Sequence, residues 1–237
     1  MNLQNIPPFN YAYIVYRFFK NLEKKVTLLQ QTLYFIENDD NNAGRRFYYK
    51  QIISDSHTAW YENFEKAVII SNIVRPKVVV DLGVDHGFST FAFAYAGHGN
   101  IYGLDSFEGD IHAGHRDTYQ HVLATHEKLK SEFQISDIAF IKGYFEETAL
   151  TWDKKIDILH IDGLHTYEAV KGDFETWKKF FTDDTVVLFH DTISFEDTVG
   201  KYFSELEGYK YSFHDGCGLG VWCKSENFIR QIRYVYN

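Results

Sequence analysis

The sequence predicts an α/β fold: a doubly wound, mostly parallel sheet closed by a C-terminal antiparallel hairpin and preceded by helices. Three observations carry this. From residue 77 onward, short β-branched runs alternate with segments of helical period, the pattern of consecutive βαβ units. The first run, Val78-Val79-Val80-Asp81-Leu82, is apolar almost throughout, as a strand covered on both faces must be. The last two strand candidates, 209–215 and 219–224, are joined by Gly216-Cys217-Gly218, far too short for a crossover.

Taken in order, Val15, Phe19, Leu22, Val26, Leu29, Leu33 and Ile36 are spaced by four and three. That heptad seam predicts one amphipathic helix over 10–37, packed on its own domain or forming a homodimer contact. The polar run from Glu37 to Gly44 predicts a loop. Trp60, Phe64, Ala67, Ile70 and Val74 predict a second helix over 58–74, stopped by Pro76. Parallel strands follow at 77–82, 100–104, 137–142, 156–161 and 184–190. Between them Tyr119, Val122, His126, Leu129 and Phe133 mark one helix, and Tyr167, Val170, Phe174, Trp177 and Phe181 another. A further helix is expected at 195–207. The expected division is a helical region at 1–75, for oligomerisation or as an acceptor lid, and a sheet domain at 76–237.

Composition narrows the function classes. Across 237 residues, 45% hydrophobic and 24% charged side chains are ordinary for a soluble globular protein. A net charge of −9 argues against a nucleic-acid partner, whose affinity comes from clustered Lys and Arg. No apolar run approaches the roughly 20 residues that span a bilayer. The N-terminus lacks a basic segment followed by an apolar one, so no signal peptide is expected. Cys217 and Cys223 are too few for a disulfide framework, and a cytoplasmic location is expected.

The first chemical signal is the turn Asp81-Leu82-Gly83-Val84-Asp85-His86-Gly87-Phe88-Ser89. It departs from the G-x-G-x-x-G of dinucleotide sites: one early glycine follows an acid, and Gly87 comes four residues later. Such a turn suits a flat nucleoside without a pyrophosphate, and Asp81 stands where it could meet a cationic amino-acid head directly or through water. Twenty-two residues after Gly83, Asp105 closes the next strand, the spacing at which a carboxylate reaches a ribose diol. A generic tight turn is the competing explanation.

The second signal lies at two neighbouring strand ends, His160-Ile161-Asp162-Gly163-Leu164-His165 and Phe189-His190-Asp191. Open α/β sheets place their chemistry at the carboxyl ends of parallel strands. Asp162, His165, His190 and Asp191 gather there, and four unpaired polar groups would cost stability without a use. The glycine-bearing loop from Ser106 to Thr118 could fold over the cleft to contact the acceptor or stand as a solvated loop. His121 and His126, on the next helix, read as surface or packing residues.

The acidic-x-Gly-x-x-x-Gly turn and the acid on the second strand resemble those of class I S-adenosylmethionine-dependent methyltransferases, which have a Rossmann-like fold. The resemblance implies cofactor contacts at Asp81, Gly83, Gly87, Ser89, Asp105 and Ser106. It also implies an adenine cover from the third-strand loop, Gly143, Tyr144 and Phe145, although the two rings could equally be core. The run Ile-Asp-Gly-x-His-x-Tyr-Glu at 161–168 and the pair His190-Asp191 are similar to the macrocin/cephamycin O-methyltransferase group. That similarity implies methylation of a hydroxyl on a sugar residue of a glycan or glycoside, with a divalent metal, Mg²⁺ or Mn²⁺. Its ligands would be Asp162, His190 and Asp191, with His165 as general base and His190 as runner-up. Asp173 would brace the site. The alternatives are a catechol- or phenol-type small-molecule O-methyltransferase and a non-catalytic cofactor-binding scaffold.

Overall fold

The computed structural model describes residues 43–54, 58–111 and 114–236. The chain divides after Tyr48 into two compact units, and everything below concerns the second, from Tyr49 onward. The expected heptad helix at 10–37 lies outside the described residues.

Nine strands are present among the described residues: β1 (Val78–Leu82), β2 (Asn100–Asp105), β3 (Gly109–Asp110), β4 (Gly114–His115), β5 (Asp137–Lys142), β6 (Ile156–Ile161), β7 (Phe181–His190), β8 (Tyr209–Phe213) and β9 (Leu219–Cys223). Seven of them form one sheet in the order β5-β2-β1-β6-β7-β9-β8. Its first five strands run parallel, and β9 is antiparallel to both neighbours. The predicted doubly wound sheet with a terminal hairpin is the observed fold. The chain order reverses between β1 and β6, so the clefts beyond the carboxyl ends of these strands are where a ligand fits.

The helices are α1 (residues 43–53), α2 (Phe64–Val74), α3 (Phe88–Tyr95), α4 (Tyr119–Glu132), α5 (Phe145–Thr151), α6 (Tyr167–Trp177), α7 (Lys201–Glu205) and α8 (Glu226–Tyr236). No helix among the described residues is long and apolar enough to cross a membrane.

Side chains alternate across each strand, so β1 and β6 divide their residues between two cores. On one face Val80, Leu82, Leu159 and Ile161 pack with Val170, Phe174 and Trp177 of α6 and with Tyr202 and Phe203 of α7. On the other, Asp81 and His160 lie beneath Trp60 and Phe93. Burying an acid in a central strand is costly unless it is paired. Here the pairing organises the site.

Three local differences from the expected elements have physical causes. The strand expected at 184–190 begins at Phe181, because Thr185 Oγ1 donates to the Ile156 carbonyl at 2.6 Å and carries β7 back across a register shift. The helix expected at 195–207 opens as a π turn over Glu196–Gly200, with the Gly200 N–H donating to the Phe195 carbonyl at 3.1 Å. The Ser106–Thr118 loop contains the small β3–β4 hairpin, and Arg116 pairs with Asp85 at 2.9 Å. Cys217 and Cys223 are both free thiols.

Candidate active site

A cavity of about 720 Å³ opens at the carboxyl ends of the parallel strands. One wall is the turn after β1. Gly83 there has φ +100°, and an added Cβ would overlap the Asp162 carbonyl, so glycine is required by the approach of two strand ends. Its N–H donates to the Leu104 carbonyl at 3.0 Å, while the Asp162 N–H donates to Leu82 at 2.8 Å. These bonds hold the ends of β2, β1 and β6 side by side.

Asp105 lines this wall at the end of β2. Its oxygens accept the Asp85 N–H at 2.8 Å and the Phe107 N–H at 2.7 Å, which fixes the plane of the carboxylate. Burial raises its pKa, against the lowering effect of those backbone donors. Ser89, Ser106, Gly143, Tyr144 and Phe145 also line the cavity. Of the two rings proposed for the third-strand loop, Tyr144 is 57% exposed, whereas Phe145 packs against the core.

Asp81 and Gly87, both expected as cofactor contacts, are not among the residues that line the cavity. Asp81 is fully buried. It accepts Ser89 Oγ at 2.7 Å and Thr90 Oγ1 at 2.5 Å, and faces His160 Nδ1 at 2.6 Å. It therefore ties the first turn of α3 to β6 from below. Gly87 has φ +90° and sits against the Phe91 ring, where a Cβ would be 2.5 Å from that ring.

The opposite wall holds the imidazole–carboxylate cluster. His165 Nε2 is 2.8 Å from Asp191 Oδ2 and 3.4 Å from Asp162 Oδ1. His190 Nδ1 is 3.2 Å from Asp162 Oδ1 and 3.4 Å from Asp191 Oδ2. A ring nitrogen facing a carboxylate at these distances carries its proton toward it. Burial raises the Asp162 pKa, but the His190 charge and hydrogen bonds from both imidazoles outweigh it and hold the carboxyl well below its usual range. Burial likewise opposes, and His165 and His190 overcome it, in lowering Asp191. For both imidazoles burial favours the neutral form, yet the two carboxylates reverse this and raise their pKa values. The two carboxylates and two imidazoles thus favour one another's charged forms.

Ligating atoms of Asp162, His165 and Asp191 all lie within 4.8 Å of one another. This group contains His165, expected as the base, alongside the two carboxylates. His190, expected as a ligand, is 2% exposed, and its buried Nε2 has no hydrogen-bond partner among the described residues. Two hard carboxylate oxygens facing a cavity fit a divalent cation of the Mg²⁺/Mn²⁺ class, with the His165 imidazole beside them.

Several contributors were not legible as site residues. Trp60 read as one apolar position of a helix, but its indole Nε1 donates to Asp162 Oδ2 at 3.1 Å. Phe195 stacks on His165 with ring centres 4.3 Å apart and planes at 11°. Thr198 Oγ1 donates to the His165 carbonyl at 2.7 Å, so the π turn positions that histidine. Nothing in the helix pattern distinguishes Trp60, Phe195 and Thr198 from packing or surface positions. Asp173, expected to brace the site, lines the cavity from α6, and burial with the nearby Glu146 charge pushes its pKa up to about 7.

Residues 80–192 match a family described as a methyltransferase domain. An uncharacterized protein of Sinorhizobium fredii, y4gI, is 31% identical over 183 residues, which is 72% of this chain but 20% of that protein. Among solved structures, a Staphylococcus aureus protein described as a caffeoyl-CoA O-methyltransferase has a TM-score of 0.56 at 15% identity, covering 83% of this chain and all of that one (100%). A Bacillus cereus O-methyltransferase in complex with S-adenosylhomocysteine gives 0.54 at 12% identity, over 72% of this chain and 84% of that one. A Geobacter sulfurreducens methyltransferase gives 0.54 at 16% identity, over 77% and 88%. At these identities the likeness is one of fold. The sheet has the Rossmann-like fold that these solved structures share, and residues 80–192 carry the match to the methyltransferase-domain family.

Proposed function

We propose that this chain is an S-adenosylmethionine-dependent O-methyltransferase, assisted by a divalent metal and acting on a hydroxyl of a sugar residue in a glycan or glycoside. The observation that carries the reading is that one cavity joins the Asp105 wall to the Asp162–His165–Asp191 cluster. A nucleoside donor and a hydroxylated acceptor can thus meet without crossing solvent.

On this reading Asp105 accepts hydrogen bonds from the ribose diol through the lone pairs its two backbone donors leave open. Gly143 and Tyr144 border the adenine. The acidic lining suits a donor that carries a sulfonium and an ammonium. When bound, S-adenosylmethionine supplies an electrophilic methyl, and a divalent ion stabilises alkoxide character at the attacking hydroxyl. Asp162 and Asp191 would hold that ion, and its charge would replace the proton they otherwise keep on His165. His165, clamped by Phe195 and by Thr198, then takes the hydroxyl proton as the oxygen–methyl bond forms and the sulfur–methyl bond breaks, leaving S-adenosylhomocysteine. Holding donor and acceptor aligned supplies the larger part of the acceleration.

The test is a panel of glycosides and catechols incubated with S-adenosylmethionine and Mn²⁺, with methylated products read by mass spectrometry. Methylated glycoside, lost on chelation and in Asp162→Ala or Asp191→Ala, is the expected result. His165→Gln should lower the rate by about 10²- to 10⁴-fold while Mn²⁺ affinity is kept. Catechol products alone would move the acceptor to a phenol, and full activity after exhaustive chelation would remove the metal.

The heptad seam at 10–37 is proposed to hold a homodimer, and the reaction is placed in the cytoplasm. Light scattering on a chain lacking residues 1–40 should show one chain per particle where the full chain shows two, and an unchanged oligomer would remove the seam from that role.

A further inference from the structure

Trp60 lies outside the residues that match the methyltransferase domain, yet it reaches the centre of the cluster. Its ring is 4% exposed, stacks on His190 with centres 5.5 Å apart and planes at 29°, and presents an edge to His160 at 4.6 Å. Its backbone N–H donates to Thr58 Oγ1 at 3.1 Å, which holds the start of this segment. Trp60 thus touches the Asp81–His160 pair on one side and the Asp162–His190 pair on the other.

The two oxygens of Asp162 are divided between different partners. Oδ2 accepts only from the Trp60 indole among the described residues, while Oδ1 meets both His165 and His190. Rotating the carboxylate would break all three contacts. An indole N–H is a donor only, does not titrate, and cannot compete for a cation. It therefore remains on Oδ2 whatever occupies the cavity and keeps Oδ1 directed to the imidazoles and Asp191.

We infer that Trp60 is a positioning residue that locks the orientation of Asp162 and so makes it a one-oxygen ligand, an inference that rests on the metal-assisted reading above. The segment ahead of the sheet is then part of the reaction centre as well as a wall of the cavity. Removing such an outer hydrogen bond costs roughly 10- to 100-fold in metal affinity or activity.

The experiment uses the full chain labelled with ¹⁵N-tryptophan, whose four indoles are resolved by NMR, with Trp60→Phe identifying the resonance. In Asp162→Ala that resonance should move upfield as the charged acceptor is lost. Trp60→Phe should bind Mn²⁺ about tenfold more weakly by paramagnetic resonance titration and lose about tenfold or more in transfer rate. Its S-adenosylhomocysteine affinity should stay within about twofold. Trp60→His, which restores a ring N–H, should recover part of both losses. Wild-type Mn²⁺ affinity and rate in Trp60→Phe would overturn the inference, as would an unmoved indole resonance in Asp162→Ala. A wild-type protein that neither binds Mn²⁺ nor transfers methyl would sink the reading of function, and the indole resonance would then decide the Trp60 contact by itself.

Discussion

Asp81 Oδ1 and His160 Nδ1 face each other at 2.6 Å across the paired strands β1 and β6, both side chains fully excluded from solvent. Sequence places this aspartate at the cofactor turn. The structure makes it the anchor beneath that turn, satisfied by two hydroxyls and an imidazole. The position is therefore constrained by folding before it is constrained by any ligand.

Asp81→Ala should destabilise the protein by about 3–5 kcal/mol, the usual cost of leaving one member of a buried pair alone. Urea unfolding measures this. A loss under about 1 kcal/mol would show that His160 finds another partner, and the anchoring role would fall.

Gly83→Ala should impair folding and activity together, because the new methyl would overlap the Asp162 carbonyl and the backbone would be held at φ +100°. Overpacking of this kind costs about 1–3 kcal/mol, with the left-handed backbone adding to it. The damage should appear at the Asp162 cluster as well as at the turn, as lost Mn²⁺ binding alongside a lower melting temperature. Unchanged Mn²⁺ affinity would show that β1 and β6 separate there without disturbing the site.

Asp105→Ala should weaken S-adenosylhomocysteine by about 1–3 kcal/mol, the range for hydrogen bonds to a charged group. Isothermal calorimetry reads this directly, and equal affinity in the variant would take Asp105 out of the ribose role. Part of the loss will come through Asp85 and Phe107, whose N–H groups the carboxylate organises.

Asp173 gives a pH signature. Its carboxyl is raised from 3.8 to about 7 by burial and by Glu146, so the folded state holds a proton that the unfolded chain releases. Stability from this group is greatest below about pH 4, is lost as the pH rises toward 7, and changes little above that. Asp173→Asn should therefore stabilise the protein by about 2–4 kcal/mol at pH 8 and by almost nothing near pH 4. A gain that does not depend on pH, followed by urea unfolding across this range, would refute the assignment.

The sequence alone determined the parallel sheet, its terminal hairpin and the strand ends at which polar residues gather. Those features follow from local rules: β-branched runs for buried strands, a loop too short for a crossover, and polar residues at strand ends where nothing local would pay for them. Asp105, Asp162, His165 and Asp191 were legible as strand-end residues for that reason, and all four line one cavity. Only the tertiary structure decided which polar residues face the cavity and which serve the core. Alternation along β1 turned Asp81 inward to His160, and this depends on the partner strand and on the covering rings, neither of which is near it in sequence. Trp60 is 102 positions from Asp162, and Phe195 reaches His165 from beyond the next strand. An apolar ring at helical spacing has the same pattern whether it fills a core or donates to a carboxylate, because the pattern records burial while the hydrogen bond depends on the packing of distant elements.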